Sequence, residues 1–213
     1  MEKEFEIKHR YAHKRAMIRT EDGLSYNVFN RLTYLKKETL SYLFNKAFNL
    51  ETENIGLGTI EEFSFWPKWN SKKINKINNA NYIEPDIFIR LATVDIIIEA
   101  KRYDLGQQYE GQWKDQILAY MHHYNNDDKR LIYIPLGGMN YSKMTHPDAL
   151  IKQTYWFNIA QACFNTLSNE NLEINEYRIL ADIIEILRFY NHIPLKFLGS
   201  LEPLNLSNNQ FNL

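Results

Sequence analysis

The chain has 213 residues, 45% of them hydrophobic and 24% charged, which fits one globular domain and excludes a wholly disordered, collagenous or fibrous polymer. Lys plus Arg number 25 against 26 Asp plus Glu, so the net charge of −1 gives no global cationic field, and a polyanionic or membrane partner would have to be met by a local patch. The one cysteine, Cys163, excludes an intrachain disulfide and a multi-cysteine zinc site within one chain, and reads as a small buried core residue in a reducing compartment. The opening Met1-Glu2-Lys3-Glu4-Phe5-Glu6 holds acids and no apolar stretch, and no run of about 18 apolar residues follows, so a cytoplasmic protein with no membrane partner is expected.

In chain order, Leu24, Val28, Leu32, Leu35, Leu40, Leu43, Phe44 and Ala47 recur at amphipathic spacing and predict a helix from Leu24 to about Leu50. Thr20 or Asp22 can cap it, leaving Glu21 at or near its N-terminus. Glu61 to Trp66, Tyr82 to Leu91 and Val94 to Ala100 are short, β-branched and aromatic, and predict strands. Lys68 to Ala80 has no apolar period and predicts a loop. A second helix is expected from about Gln108 to Tyr124, a strand over Leu131 to Leu136, a further strand including Tyr155 to Phe157, and helices near Ile159 to Leu167 and Leu172 to Tyr190. The order predicts an α/β fold with a mixed central sheet flanked by helices, in a single domain with a core over about 20–138 and a C-terminal helical extension over about 157–192.

The chemistry concentrates on Glu84-Pro85-Asp86 and on Glu99-Ala100-Lys101. Side chains alternate along a strand, so Glu99 and Lys101 share one face while Ile98 and Ala100 share the other. A hairpin turning at Ala92-Thr93 would set Asp86 opposite Glu99, about 5 Å apart between β-carbons. Two such carboxylates repel, and protonation or a bound cation relieves them. Mg²⁺, with Mn²⁺ as a substitute, suits a half-open site of one or two carboxylates. Lys101 could then orient a bound water, help deprotonate it, or neutralise the charge of a phosphoryl transition state. The bland counterpart is an exposed Glu99–Lys101 ion pair and an Asp86 that merely follows a turn proline.

Pro85-Asp86, the interval 87–98 and Glu99-Ala100-Lys101 together resemble the PD-(D/E)XK nuclease superfamily, the restriction-endonuclease-like fold. An acid on a helix before the sheet belongs to that pattern, and Glu21 fits it, with Asp22 or Glu38 as substitutes. Gln116-Ile117-Leu118-Ala119-Tyr120 is similar to the Gln-x-x-x-Tyr element of RecB-type members. The resemblance spans about residues 20–138 and implies a restriction-endonuclease-like core, with Asp86, Glu99, the Ala100 carbonyl and Glu21 as metal ligands and Lys101 acting on the water. It also implies hydrolysis of DNA phosphodiesters to 5′-phosphate and 3′-hydroxyl ends. Gln116 and Tyr120, four apart on one helix face with Gln112 a turn earlier, would hold a phosphate or the lysine by hydrogen bonds, or else Tyr120 is a core aromatic.

DNA as partner requires local positive charge. Lys68, Lys72, Lys73 and Lys76 lie around Trp69, whose ring either stacks on a base or packs the core. Lys8, Arg10, Lys14, Arg15 and Arg19 form a second basic stretch. A homodimer or a partner protein of a phage-defence or restriction complex is also compatible with this reading. Two alternatives stay open: a non-catalytic DNA- or protein-binding module of the same fold in a defence or repair complex, and an unrelated metal-dependent hydrolase of small phosphoesters.

Overall fold

The computed structural model describes residues 7–8, 20–53, 56–72, 74, 81–103, 105–124, 129–138 and 144–193. Helix α1 (Glu21–Leu32) opens on Thr20, whose side chain accepts from Gly23 N–H at 3.0 Å, with Glu21 and Asp22 in the first turn where the helix dipole favours them. The helix expected to continue to Leu50 instead breaks, and α2 (Lys37–Ala47) starts anew. Thr33 Oγ1 donates to Asn30 O at 2.7 Å, while the backbone of Tyr34 and Leu35 tightens into i→i−3 bonds. These local bonds compete with helical continuation. The first turn of α2 is then anchored from far along the chain, because Lys36 N–H donates to Glu176 Oε1 at 3.1 Å. Apolar spacing does not register the break, since Leu32, Leu35 and Leu40 are buried on either side of it.

The strands are β1 (Ile7–Lys8), β2 (Ile60–Phe65), β3 (Trp69–Asn70), β4 (Tyr82–Ile83), β5 (Ile87–Leu91), β6 (Val94–Ala100), β7 (Arg130–Leu136) and β8 (Ala149–Ile151). Six form one mixed sheet in the order β1-β2-β5-β6-β7-β8, with β2/β5 and β5/β6 antiparallel and the other pairs parallel. The stretch expected as one strand over Tyr82 to Leu91 divides at Pro85, which has no N–H for a ladder. Its first part pairs with β3 in a separate ribbon, so strand pairing begins inside the region expected to be loop. The β5/β6 hairpin turns at Ala92-Thr93, pairing Ile87 with Ile98 and Arg90 with Asp95, which is the register deduced from the sequence.

The remaining helices are α3 (Glu110–His123), α4 (Trp156–Leu167) and α5 (Ile174–Phe189). On one side of the sheet Ile87, Ile89, Ile96, Ile98 and Ala100 pack with α1, α2, α4 and α5. On the other, Phe88, Ile97 and Tyr133 pack with Trp113, Ile117 and Tyr120 of α3 and with Trp69. The C-terminal helices are therefore part of the main core: Trp156, Cys163, Leu180 and Leu187 are buried in it with Leu24 and Phe29. The strand expected over Tyr155 to Phe157 is the start of α4, and the strand of this region is β8. Trp156 has a task that overrides its β-propensity, since its indole N–H donates to the Lys101 carbonyl at 2.8 Å. Among the described residues no helix is long and apolar enough to cross a membrane.

Gly137 and Gly138, at the end of β7, sit at φ +66° and +59° directly against Lys101. A Cβ on Gly137 would stand 2.4 Å from the Lys101 carbonyl oxygen. We expect Gly137→Ala to lower stability by at least about 1–3 kcal/mol through left-handed backbone strain plus that clash, read as a lower urea midpoint at unchanged m value.

Candidate functional site

β6 ends beside α3 and the head of α1, and four sequence-predicted residues meet there. Lys101 Nζ lies 2.5 Å from Glu99 Oε1 and 3.3 Å from Glu21 Oε1. Glu21 also accepts the Arg102 backbone N–H at 2.9 Å. Asp86 follows Pro85 into β5 and accepts Ala100 N–H on Oδ2 at 2.8 Å, which binds the end of one hairpin strand to the other. In an extended strand the N–H and C=O of a residue leave by the same edge, so the Ala100 carbonyl points to the Asp86 side.

Glu99 is 2% exposed, and its carboxylate accepts from three donors, two on Oε1 and one on Oε2. Gln112 Nε2 reaches Oε1 at 2.8 Å and Gln116 Nε2 reaches Oε2 at 2.7 Å. Tyr133 on β7 donates to Gln116 Oε1 at 2.5 Å, fixing which end of the amide faces the acid. Gln108 Nε2 donates to the Glu99 carbonyl at 2.8 Å and is itself held by the Trp113 indole N–H at 2.7 Å. Gln112 and Gln116 thus lie on the common face read from their spacing, but what they hold is the carboxylate, not the lysine. At 1% exposure Gln116 positions Glu99 and cannot touch a phosphate. Tyr120 is drawn elsewhere: its hydroxyl donates at 2.8 Å to Asp95 Oδ2, an acid that Arg90 Nη2 also approaches at 3.1 Å. It is a core aromatic, sealed from the Glu99 cluster.

The electrostatics separate the groups. Asp86 is half-buried, and desolvation followed by the charge of Glu99 pushes its proton affinity well up, against the pull of Lys101 and of Ala100 N–H. For Lys101, burial opposes the charged form, but Glu99 and then Asp86 and Glu21 outweigh it and hold the ammonium above the usual lysine range. The Tyr133 phenol is pushed up by burial and then by Glu99 and Asp86, so it remains a hydrogen-bond donor.

The sequence-predicted nucleic-acid residues divide. Trp69 is 4% exposed, in edge contact with Phe88 and Tyr120, so it packs the core and is not available to a base. Its position in β3, over the apolar face of α3, is the reason. Lys68 stays at the surface, 3.4 Å from Glu84 and over the Tyr82 ring, and Lys72 is exposed. Lys73, Lys76, Arg10, Lys14, Arg15 and Arg19 lie outside the described residues. Gln108, Tyr133 and Arg102 are participants that the sequence did not single out. For Tyr133 a signal existed, the one hydroxyl in the apolar run Leu131 to Leu136; Gln108 and the Arg102 amide act through backbone contacts that leave no pattern.

Could such a set hold a divalent ion? Among the described residues no three His, Cys, Asp or Glu side chains gather into a metal-holding group. What is present is a pair of carboxylates, Asp86 and Glu99, with one carbonyl edge beside them. That fits Mg²⁺, which is commonly held by one or two carboxylates with water completing its shell. The destabilised charge on Asp86 is an independent sign of fit, because a cation relieves it. Glu21 has both oxygens engaged, on Lys101 and on Arg102 N–H, so its contribution would come through water.

No family model matches the sequence, and no solved structure matches it. A curated protein of Pasteurella multocida (strain Pm70), "Uncharacterized protein PM0110", is 34% identical over 123 residues, which are 56% of this chain and 43% of that protein. The chain thus spans less than half the length of that relative.

Two outcomes follow from the geometry. Gln116→Ala strips Glu99 Oε2 of a donor and leaves the Tyr133 hydroxyl unpaired, so stability should fall by about 1–3 kcal/mol in urea titration. Asp86 binds its proton more tightly folded than unfolded, so between the two titrations the native state carries more protons and stability declines as pH rises above the ordinary aspartate range. Asp86→Asn keeps an acceptor for Ala100 N–H and removes the charge. In EDTA it should melt above wild type at pH 7, with the gain vanishing as pH falls through the ordinary aspartate range.

Proposed function

We propose that the chain is a metal-dependent deoxyribonuclease of the PD-(D/E)XK type with a restriction-endonuclease-like core. The observation that supports this reading best is the convergence of Asp86, Glu99 and Lys101 at the end of the β5/β6 hairpin with Glu21 brought to the same lysine. These are the positions that the family resemblance assigns to catalysis. Asp86, Glu99 and the Ala100 carbonyl would hold Mg²⁺ or Mn²⁺, with Glu21 behind a water. The ion, when bound, supplies Lewis acidity toward a phosphoryl oxygen and lowers the pKa of water.

The residues of the chain do the rest. Lys101, ion-paired to Glu99 and Glu21, is placed to stabilise negative charge building on the phosphoryl oxygens. Gln112, Gln116 and Tyr133 fix the Glu99 carboxylate so that it need not reorganise during the reaction. Water attacks phosphorus and gives up a proton to solvent, the bond to the 3′ oxygen breaks, and that oxygen takes a proton from solvent in return, leaving 3′-hydroxyl and 5′-phosphate ends. Lys68, beside Glu84, and Lys72 are the exposed cations that would meet phosphates of the strand.

The reading is tested by incubating plasmid, linear and single-stranded DNA with the full chain and Mg²⁺. Asp86→Ala and Lys101→Ala should each lower the cleavage rate at least about a hundredfold, with the far-ultraviolet circular dichroism unchanged. Wild-type rates in both variants would end the assignment. Glu99 already has a counter-ion in Lys101, which favours the second reading, a DNA-binding module of the same fold without turnover. Salt-sensitive DNA binding with no cleavage in Mg²⁺ or Mn²⁺ would select it.

A further inference from the structure

The segment joining β6 to α3 carries a feature that the carboxylate cluster does not use. Within residues 102–109 three large apolar side chains face solvent: Tyr103 at 57% exposure, Leu105 at 70% and Tyr109 at 71%. The backbone that carries them is tied down. Arg102 N–H is held by Glu21, the Tyr103 carbonyl accepts Gly138 N–H, and Gln107 and Gln108 N–H both reach the Gly138 carbonyl, at 3.1 and 2.7 Å. The rings have neighbours as well. The Arg102 guanidinium sits 5.1 Å from the centre of the Tyr103 ring. The Tyr109 ring lies so close over Gly111 that a Cβ there would come within 2.5 Å of it. Aromatic surface left in water on an anchored backbone, two residues past the central lysine at Tyr103 and eight past it at Tyr109, is what a binding surface requires and a solvated loop does not.

We infer that Tyr103 and Tyr109 form a base-stacking platform, and that the site takes single-stranded DNA in preference to intact duplex. For the nature of the ligand this rests on the nuclease reading above. The ring faces of bases are open to stacking only where the strand is unpaired, whereas a paired duplex offers phosphates and groove edges. Arg102 places a cation beside the Tyr103 ring, matching a ligand in which flat rings alternate with phosphates. Stacking of this kind is tolerant of sequence, so the platform would position a strand without selecting one.

Fluorescence anisotropy in EDTA reads binding separately from cleavage. The probe is a labelled mixed-sequence oligonucleotide, alone or annealed into a blunt duplex, on the full chain. The single strand should bind at least about tenfold tighter than the duplex, and Tyr103→Ala and Tyr109→Ala should each weaken it by roughly five- to 150-fold, the span set by one lost base–aromatic stack. Tyr103→Phe and Tyr109→Phe should retain binding. Gly111→Ala removes no group that could bond DNA, yet should weaken binding by displacing the Tyr109 ring. Melting temperatures should not move in the tyrosine variants, since the rings are exposed. Duplex preference, or alanine variants that bind the single strand like wild type, would overturn the platform. So would a wild-type chain that binds no single strand, which would assign the rings to a protein contact. Stacking-dependent binding without Mg²⁺-dependent cleavage would leave the platform standing and remove the nuclease reading; cleavage with unaltered binding in the platform variants would do the reverse.

Discussion

A carboxylate that is 2% exposed dictates much of what surrounds it. Moving a charged group such as Glu99 from water into a sheet-and-helix interior is expensive, and the cost is tolerable only if every lone pair finds a donor and the charge finds a counter-charge. Lys101, two residues on, supplies the charge from the same strand face, and Gln112 and Gln116 supply donors from α3. Each of these must itself be satisfied, which reaches outward to Tyr133 on β7 and to Glu21 on α1. The positions of α1, α3 and β7 relative to the end of β6 are thereby coupled to one side chain.

Asp86 is treated differently, and the contrast carries the functional reading. Its carboxylate faces Glu99 across the hairpin with a single backbone donor given to it, so its charge is held at a disadvantage. Nothing in packing requires this: an amide at the same place would make the same bond to Ala100 N–H. Natural sequences retain such penalties where function uses the group, because stability and activity draw on it in opposite senses. Glu99 Oε2, with one donor, and Asp86, with one, together leave room for one further positive ligand, and that ligand would sit next to the Lys101 ammonium.

Much of this was readable in the sequence because it follows from periodicity. The two-residue alternation of Val94 to Ala100 put Glu99 and Lys101 on one face, and the short Ala92-Thr93 turn fixed the partner of each residue in β5. The i, i+4 spacing of Gln112 and Gln116 gave their common face, though not the group they would reach, since that depends on how α3 lies on the sheet. What escaped was decided at long range. The α1/α2 break depends on Glu176, whose carboxylate receives Lys36 N–H from 140 positions away in sequence. Aromatic residues favour strands, which predicts a strand around Trp156, but its indole binds the Lys101 carbonyl from the first turn of a helix. Trp69 among lysines leaves a base stack and core packing both open, and the β3/β4 pairing, which spans a sequence interval with no apolar pattern, decides for the core by turning its ring inward.

The two acids of β6 on the α3 side meet different surroundings. Asp95 and Glu99 lie on the same face, and α3 runs past both, offering Tyr120 to the first and Gln116 to the second. Asp95, at 0% exposure, is neutralised by Arg90, which is in turn covered by the Tyr124 ring at 4.6 Å. Burial still raises its proton affinity, but its surroundings are closed by aromatic rings and give no path for a ligand. At Glu99 the strand is ending: β5 has given way to the Asp86 turn, and the chain beyond Lys101 swings outward with Tyr103 and Tyr109 in solvent. Similar acids on one strand face are therefore held differently: Asp95 lies where aromatic rings cover the sheet, and Glu99 lies where the strand ends beside Asp86 and Lys101.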